Sequence, residues 1–247
     1  LLRELKPLLK LNAMTVTGRT LGEEIDAAPP SFKQDVVRKM VNPIYPRGSI
    51  AVLYGNLAPG GAIIKQSAAD EKLMEHEGRA VVFENAEDLA NRIDSPDLDV
   101  TADDILVLKN IGPKGAPGMP EAGYIPIPMK LARAGVKDIV RISDGRMSGT
   151  AFGTIVLHIT PESAIGGPLA YVRNGDRIRL SVKNRELSLQ ISEQELAQRI
   201  KENPIETPTA KRGYKKLFLD TVTQADLGVD FDFLRATDIN GKTPSRK

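Results

Sequence analysis

The sequence contains no cysteine, and this absence excludes several kinds of chemistry at once. Disulfide bonds, thiolate catalysis and cysteine-held zinc or iron–sulfur centres cannot form within this chain. Only two histidines are present, His76 and His158, so a histidine-rich metal site is excluded as well. Tryptophan is absent and aromatic residues make up 4% of the chain, which argues against a surface that stacks nucleic-acid bases. The net charge of +2 argues against a nucleic-acid or membrane role driven by bulk charge.

Long hydrophobic runs are missing too. The apolar segments 50–54 and 154–157 are far too short to cross a bilayer. Charged side chains interrupt the apolar positions of the first 18 residues, which is not the pattern of a signal peptide, and we expect a cytoplasmic protein. The chain has no initiator methionine and begins as if within a helix, so we expect the C-terminal piece of a longer protein. Its 41% hydrophobic and 27% charged residues are typical of a globular domain with a core.

What is present is an alternation of short β-like and helical runs. Alternating apolar residues in 176–191 predict a β-hairpin that buries one face and turns near Asn184. Asn85 and Ser192 each precede an acidic residue by three positions, a spacing typical of helix N-caps, and Ser192 is expected to form a capping box. Further strands are predicted at 49–54, 62–65, 79–83, 104–109, 138–142 and 154–159. The many strands and few helices favour a β-rich α/β barrel or layered domain over a doubly wound sheet.

The same pattern divides the chain into three parts. Residues 1–45 are predicted to be peripheral, with helical segments broken by prolines. Residues 46–205 contain the strands and are predicted to form the β-rich domain. Residues 206–247 are predicted to contribute a last helix and a docking segment.

A loop rich in glycine and proline, residues 110–121, is the first candidate for chemistry. Such a loop between a strand and a helix is often functional, and it ends at Glu121, where we expect a helix to begin. Glu121 therefore has two interpretations. It complements the positive end of a helix dipole, or it is a hard oxygen ligand for Mg²⁺.

The second candidate is Ser148, in the segment SDGRMSGT that follows a predicted strand. Gly145 lies three residues before the serine, so this is not the G-x-S-x-G nucleophile elbow. One interpretation is a reacting group on a glycine-flanked turn. The other is a type I turn at Asp144–Gly145, with the serine satisfying backbone groups. We expect His158 to be a hydrogen-bonded strand histidine and not a base.

The third candidate is the segment GNLAPGGAIIK, residues 55–65. Its glycines could let backbone N–H groups approach an anion, with Lys65 as the counter-charge. A tight connection between two strands explains the same residues equally well.

Several segments in a fixed order resemble one family. They are TVTGRTLGE (15–23), AVLYGNLAPGGAIIK (51–65), GPKGAPGMPE (112–121), SDGRMSGTAFGTIVLHITPESAIGGPLAYVRNGD (143–176) and RGYKKLFLDTVTQADLGVDFDFL (212–234). Together they are similar to the C-terminal part of the dihydroxy-acid and 6-phosphogluconate dehydratases. The segment RMSGTAFGTIVLH most resembles the sugar-acid branch, which acts on pentonates and hexonates such as arabinonate or xylonate.

The resemblance implies a swivelling β/β/α barrel, with residues 1–45 as a linker or the end of an N-terminal domain. It also implies dehydration of a 2,3-dihydroxy carboxylate to a 2-keto-3-deoxy acid. The family uses a serine base, Mg²⁺ and an iron–sulfur cluster, of the [2Fe–2S] type in our expectation. By motif, Ser148 is the base and Glu121 is the C-terminal Mg²⁺ ligand. Arg146 and Lys65 are candidates for binding substrate or ordering the loop.

The resemblance places the cluster cysteines and the other Mg²⁺ ligands in an N-terminal domain that this sequence does not contain. The chain by itself is therefore expected to be inactive and to bind no cluster. Expected partners are the sugar acid, that N-terminal domain and further copies in a homodimer or homotetramer, but neither nucleic acid nor membrane. Two alternatives stay open: a dihydroxy-acid dehydratase of branched-chain amino-acid synthesis, and a non-catalytic structural or binding module with the same barrel.

Overall fold

The computed structural model describes residues 1–30, 32–44 and 48–235. Eight strands occur in these residues: β1 Ile50–Gly55, β2 Ala58–Lys65, β3 Glu75–Phe83, β4 Ile105–Leu108, β5 Val140–Ser143, β6 Ile155–Thr160, β7 Arg177–Ser181 and β8 Glu186–Leu189. They close into one barrel in the order β1-β2-β6-β5-β4-β3-β7-β8. The strands β3, β4, β5 and β6 are parallel neighbours. β2 pairs antiparallel with β1 and β6, and β7 pairs antiparallel with β3 and β8. A parallel pairing of β1 with β8 closes the barrel. The expected β-rich α/β barrel is confirmed.

The α-helices of the described residues are short, with four to ten residues each. They are α1 Leu2–Leu5, α2 Leu21–Ala27, α3 Ala86–Arg92, α4 Met129–Arg133, α5 Glu193–Glu202 and α6 Gly213–Thr221. Both predicted N-caps are confirmed, because the Asn85 and Ser192 side chains accept hydrogen bonds from backbone N–H groups three residues on. The expected capping box at Ser192 is only half formed, since the Glu195 side chain pairs with Arg199. None of the described helices combines the length and apolar content that crossing a bilayer requires.

Alternation along the strands builds two separate apolar cores. In β3, Ala80 and Val82 belong to a cluster with residues from all eight strands, while Val81 and Phe83 face a second cluster. The second cluster also contains Leu89 of α3, so that helix packs on the other face of β3 and β4. The predicted hairpin is present, with the apolar residues of β7 and β8 buried and paired across the ladder. Side chains on a strand alternate between its two faces, and in these parallel strands both faces are buried, each in one of the two clusters.

The glycine-rich connection between β1 and β2 closes the barrel. β2 begins at Ala58, four residues before the predicted strand start at 62, so the strand is longer than expected and the connection to β1 is tight. Asn56 both donates to and accepts from the backbone of Leu189 at 2.8 Å, which joins β1 to β8. A Cβ at Gly55 would lie 2.2 Å from the Leu187 carbonyl oxygen, so only glycine fits at this seam. Strand packing thus accounts for this part of the candidate anion segment.

The chain forms two compact units, residues 1–48 and the residues from Ser49 onward. In the first unit, Thr20 caps α2 with a complete capping box that includes Glu23. The predicted boundary at 45/46 falls in 45–47, outside the described residues. The predicted C-terminal part, 206–247, is described only as far as residue 235, where it contains α6. The division into three domains stays a prediction.

Candidate functional site

Both candidate segments follow parallel strands that end side by side. The loop to Glu121 leaves β4, the serine loop leaves β5, and Leu108 pairs with Ser143 at the last position of each strand. The ends of neighbouring parallel strands are a common place for binding sites in α/β folds, because the loops that follow them converge there. The barrel therefore brings together two segments that are far apart in the sequence.

Asp144 ties these two loops to a third. Its Oδ1 accepts a hydrogen bond from the Ile111 N–H at 3.0 Å, and its Oδ2 accepts one from the Ser163 N–H at 2.8 Å. The residue is completely buried. Burial raises the pKa of the Asp144 carboxyl, and the N–H groups of Ser163 and Ile111 oppose that shift. The chain bends at Asp144–Gly145, and a separate hydrogen-bonded turn follows at 148–151.

Arg146 joins the serine loop to the loop of Glu121. Its Nε donates to the Met119 carbonyl oxygen at 2.6 Å, and its own carbonyl accepts from the Gly123 N–H at 2.8 Å. A Cβ at Gly123 would lie 2.8 Å from the Arg146 carbonyl oxygen and 2.5 Å from the Leu157 side chain. The absence of a side chain at 123 therefore permits this close approach. The two hydrogen bonds lie on either side of Glu121 in the sequence.

Glu121 itself is exposed and does not begin a helix. α4 starts at Met129, eight residues later, so the expectation of a helix start at Glu121 and its interpretation as a helix-end acid are wrong. No residue of the described chain forms a hydrogen bond or ion pair with its carboxylate. An exposed, unpaired carboxylate is a suitable single oxygen ligand for Mg²⁺.

Ser148 is exposed at the tip of its loop. Its Oγ lies 3.1 Å from the Thr150 Oγ1, and its carbonyl oxygen accepts from the Ala151 N–H. The Lys65 Nζ donates to the Gly149 carbonyl oxygen at 2.6 Å, so the end of β2 contacts the serine turn. Among the described residues, no histidine or carboxylate hydrogen-bonds the Ser148 hydroxyl. No side-chain base within the described part of the chain is therefore in place to activate the serine.

His158 lies in a strained part of β6. Its φ is +55°, a left-handed value in the middle of a strand, and its N–H donates to the Gly145 carbonyl oxygen. Its ring makes no hydrogen bond to the described residues, so the expected hydrogen-bonded histidine is not found. Burial lowers the pKa of His158, and the positive charge of Arg146 lowers it further. His158 is one of the residues that line a cavity of about 560 Å³ beside β1 and β2.

A second buried carboxylate, Glu162, supports the glycine and proline loop. It accepts hydrogen bonds from the Lys114 and Gly115 N–H groups, each at 2.9 Å, and from the Gln224 side chain at 2.6 Å. Burial raises the pKa of Glu162, while Gln224 and the N–H groups of Gly115 and Lys114 lower it. No local sequence pattern predicts a role for Glu162, because its hydrogen-bond partners Gly115 and Gln224 lie 47 and 62 residues away.

Arg141 and Asp138 hold the start of the serine loop. The sequence did not predict this role for either residue. The Arg141 side chain is 1% exposed and bonds the Asp138 carboxylate at 2.7 Å. Asp138 also accepts from the N–H and hydroxyl of Thr154, which begins the return into β6. A Cβ at Gly153 would lie 1.7 Å from an Arg141 guanidinium nitrogen. A charged residue inside an otherwise apolar predicted strand was the available signal for this role.

The described residues fit the two expected cofactors differently. Within ranges 1–30, 32–44 and 48–235, no group of three or more histidine, aspartate and glutamate side chains could hold a metal ion. Glu121 fits as one Mg²⁺ ligand that needs others from outside the described residues. An iron–sulfur cluster does not fit this chain, because the sequence supplies no cysteine thiolate.

Comparison with known proteins identifies the family. Residues 35–229 match the family model for the dihydroxy-acid/6-phosphogluconate dehydratase C-terminal region. A putative dehydratase of Rhizobium meliloti (strain 1021) is 54% identical over 94% of this chain and 40% of its own length. The L-arabonate dehydratase of Azospirillum brasilense is 48% identical over 92% and 40%. The dihydroxy-acid dehydratase of Dehalococcoides mccartyi (strain CBDB1) is 39% identical over 93% and 41%.

These relatives confirm the resemblance seen in the motifs, including the greater similarity to a sugar-acid dehydratase. The chain spans about two fifths of the length of the curated relatives it matches. The chain belongs to the dihydroxy-acid/6-phosphogluconate dehydratase family and matches its C-terminal region.

Proposed function

We propose that the chain is the C-terminal part of a hydro-lyase that converts a 2,3-dihydroxy sugar acid into a 2-keto-3-deoxy acid. Ser148, as its alkoxide, accepts the proton from C2, the C3 hydroxyl leaves with a proton as water, and the resulting enol tautomerises to the 2-keto acid. Glu121 is a ligand of Mg²⁺. The observation that carries the proposal is the pair of hydrogen bonds between Arg146 and the loop of Glu121. These bonds hold the loop that contains Glu121 against the loop that contains Ser148.

The serine loop suits proton abstraction in three respects. Ser148 is exposed, so a substrate can reach its Oγ. The turn that carries it is held by the Ala151 N–H and by Lys65 at the Gly149 carbonyl, which fixes the backbone. The Thr150 hydroxyl can donate to the Ser148 oxygen and stabilise its charge. Mg²⁺, when bound, supplies positive charge that lowers the pKa of a nearby hydroxyl and of the C2 proton.

The proposal assigns the rest of the machinery to parts outside this sequence. An N-terminal domain of the same protein holds the [2Fe–2S] cluster and the remaining Mg²⁺ ligands, and the protein assembles as a homodimer or homotetramer. The similarity to L-arabonate dehydratase, at 48% identity against 39% for a dihydroxy-acid dehydratase, supports a sugar acid as substrate.

A substrate panel tests this function in the full-length protein. We expect L-arabonate or a related pentonate or hexonate to yield a 2-keto-3-deoxy acid at a higher kcat/KM than 2,3-dihydroxy-isovalerate. The measurement is the appearance of the 2-keto product with each acid at several Mg²⁺ concentrations. Preference for dihydroxy-isovalerate would assign the protein to the branched-chain pathway, and inactivity with every acid would favour a non-catalytic module.

Replacing Glu121 with glutamine in the full-length protein is expected to weaken Mg²⁺ binding. The substitution removes one anionic ligand from a hard-cation site, where ligand charge dominates affinity, so the half-saturating Mg²⁺ concentration should rise on the order of 10-fold or more. Folding should not change, because Glu121 is exposed and its carboxylate forms no hydrogen bond or ion pair with the described residues. Glu87→Gln, at an exposed acid of α3, is the matched control. An unchanged Mg²⁺ dependence in Glu121→Gln would remove this residue from the metal site.

A further inference from the structure

A buried carboxylate that the proposed chemistry does not use connects the C-terminal segment to the loop of Glu121. We propose that Glu162 is a positioning residue for Glu121, and that Gln224 holds Glu162 in place. The role of Glu121 as a metal ligand is taken from the proposed function. The hydrogen bonds that carry this inference are independent of it.

The carboxylate of Glu162 binds the backbone of the glycine and proline loop, residues 110–121. It is 1% exposed and accepts from two consecutive backbone N–H groups, those of Lys114 and Gly115. A Cβ at Gly112 would lie 2.7 Å from the Glu162 Oε2, so the loop backbone packs directly on the carboxylate. Two adjacent N–H groups aimed at one carboxylate form a concave anion site, which this chain fills with its own side chain.

Two hydrogen-bonded turns connect Gly115 to Glu121, so the backbone position of the first affects that of the second. The Ala116 N–H donates to the Gly112 carbonyl at 3.0 Å, and the Met119 N–H donates to the Ala116 carbonyl at 2.7 Å. Prolines 113, 117 and 120 restrict the backbone between these bonds. A shift at Lys114 and Gly115 therefore moves Glu121, since little freedom separates them.

Gln224 is matched to Glu162 by its donor and acceptor groups. Its Nε2 donates to the Glu162 Oε1 at 2.6 Å, and its Oε1 accepts from the Glu162 N–H at 2.9 Å. No lysine, arginine or histidine side chain of the described residues bonds this carboxylate. Within the described residues, Gln224 and the loop N–H groups are therefore the groups that stabilise the charge, and each of them is costly to lose.

The amide geometry supplies a sharp pair of variants. In Glu162→Gln, the amide oxygen of the new side chain can still accept from the loop N–H groups. Its NH₂ group then faces the NH₂ group of Gln224. Turning Gln224 over would instead place its NH₂ against the backbone N–H of residue 162. The swap Glu162→Gln with Gln224→Glu removes this conflict, because the new amide donates to the new carboxylate and still accepts from the loop.

Hydrogen exchange in the full-length protein, without Mg²⁺, is the first measurement. We expect residues 111–123 to exchange roughly 10- to 100-fold faster in Glu162→Gln than in the wild type, and the swap to return most of the protection. Glu75→Gln is the matched control. Glu75 also accepts hydrogen bonds from a backbone N–H and a side chain, but it is the first residue of β3 and pairs with Ser181 of β7. Unchanged exchange in Glu162→Gln, or a swap no better protected than the single variant, would overturn the proposal.

Mg²⁺ titration by calorimetry is the second measurement. The dissociation constant should rise roughly 10-fold in Glu162→Gln and recover in the swap, as for partners that orient a metal ligand. Faster loop exchange with unaltered Mg²⁺ affinity would show that Glu162 holds the loop without positioning Glu121, and would overturn the inference. A wild-type protein that binds no Mg²⁺ would contradict the proposed function instead, and hydrogen exchange would then still decide whether Glu162 holds the loop.

Discussion

Replacing Ser148 with alanine in the full-length protein is expected to lower kcat by about 10² to 10⁴-fold and to leave KM nearly unchanged. Proton abstraction by a positioned group contributes about this much to a rate, and the substitution removes an interaction used in the transition state. Steady-state kinetics with the best sugar acid give both constants. Ser67→Ala is the matched control, because Ser67 is also exposed and its side chain has no partner among the described residues.

Exchange of the substrate's C2 proton with deuterated solvent separates the base from a turn-forming serine. We expect wild-type protein to exchange this proton during turnover and Ser148→Ala to lose that exchange. A serine that only satisfies backbone groups would instead cost about 1 kcal/mol of stability and leave the chemistry intact. Wild-type exchange rates in Ser148→Ala would sink the assignment and place the base in the N-terminal domain.

Replacing Asp138 with alanine is expected to destabilise the barrel by about 3–5 kcal/mol, because it leaves the Arg141 guanidinium buried without its carboxylate. For a unit of this size the loss corresponds to a decrease in Tm of roughly 6–20 °C. Thermal denaturation of the full-length protein, with hydrogen exchange in β5 and β6 to locate the unfolding, measures it. Asp99→Ala is the control, since Asp99 pairs with Arg79 on the surface with 79% of its side chain exposed.

A double variant distinguishes the buried charge from other losses at Asp138. Asp138→Ala with Arg141→Met removes both partners, and we expect it to lose less stability than Asp138→Ala alone, since no unpaired charge remains. Equal or greater loss in the double variant would mean that the contacts of Asp138 with Thr154 dominate. The Asp138–Arg141 pair also holds the start of the serine loop, so a fall in activity should accompany the fall in stability.

Local patterns in the sequence were enough to predict much of the barrel. The alternation in 176–191 predicts the β7–β8 hairpin, because side chains on a strand alternate between its two faces. Asn85 and Ser192 predict the starts of α3 and α5, because an N-cap depends on groups only three residues apart. The absence of cysteine excludes a cluster held by this chain without reference to any fold. These features depend on near neighbours or on composition alone.

The tertiary structure decided how the candidate residues meet. Glu121 has the same proline-bounded context whether or not a helix follows, and only the packing of its loop against Arg146 and Glu162 shows that none begins there. Asp144 looks like an exposed turn residue, and becomes a buried acceptor because β4 and β5 end side by side. Such contacts join residues from 27 to 62 positions apart. The closed order of eight strands sets them, and no local periodicity encodes that order.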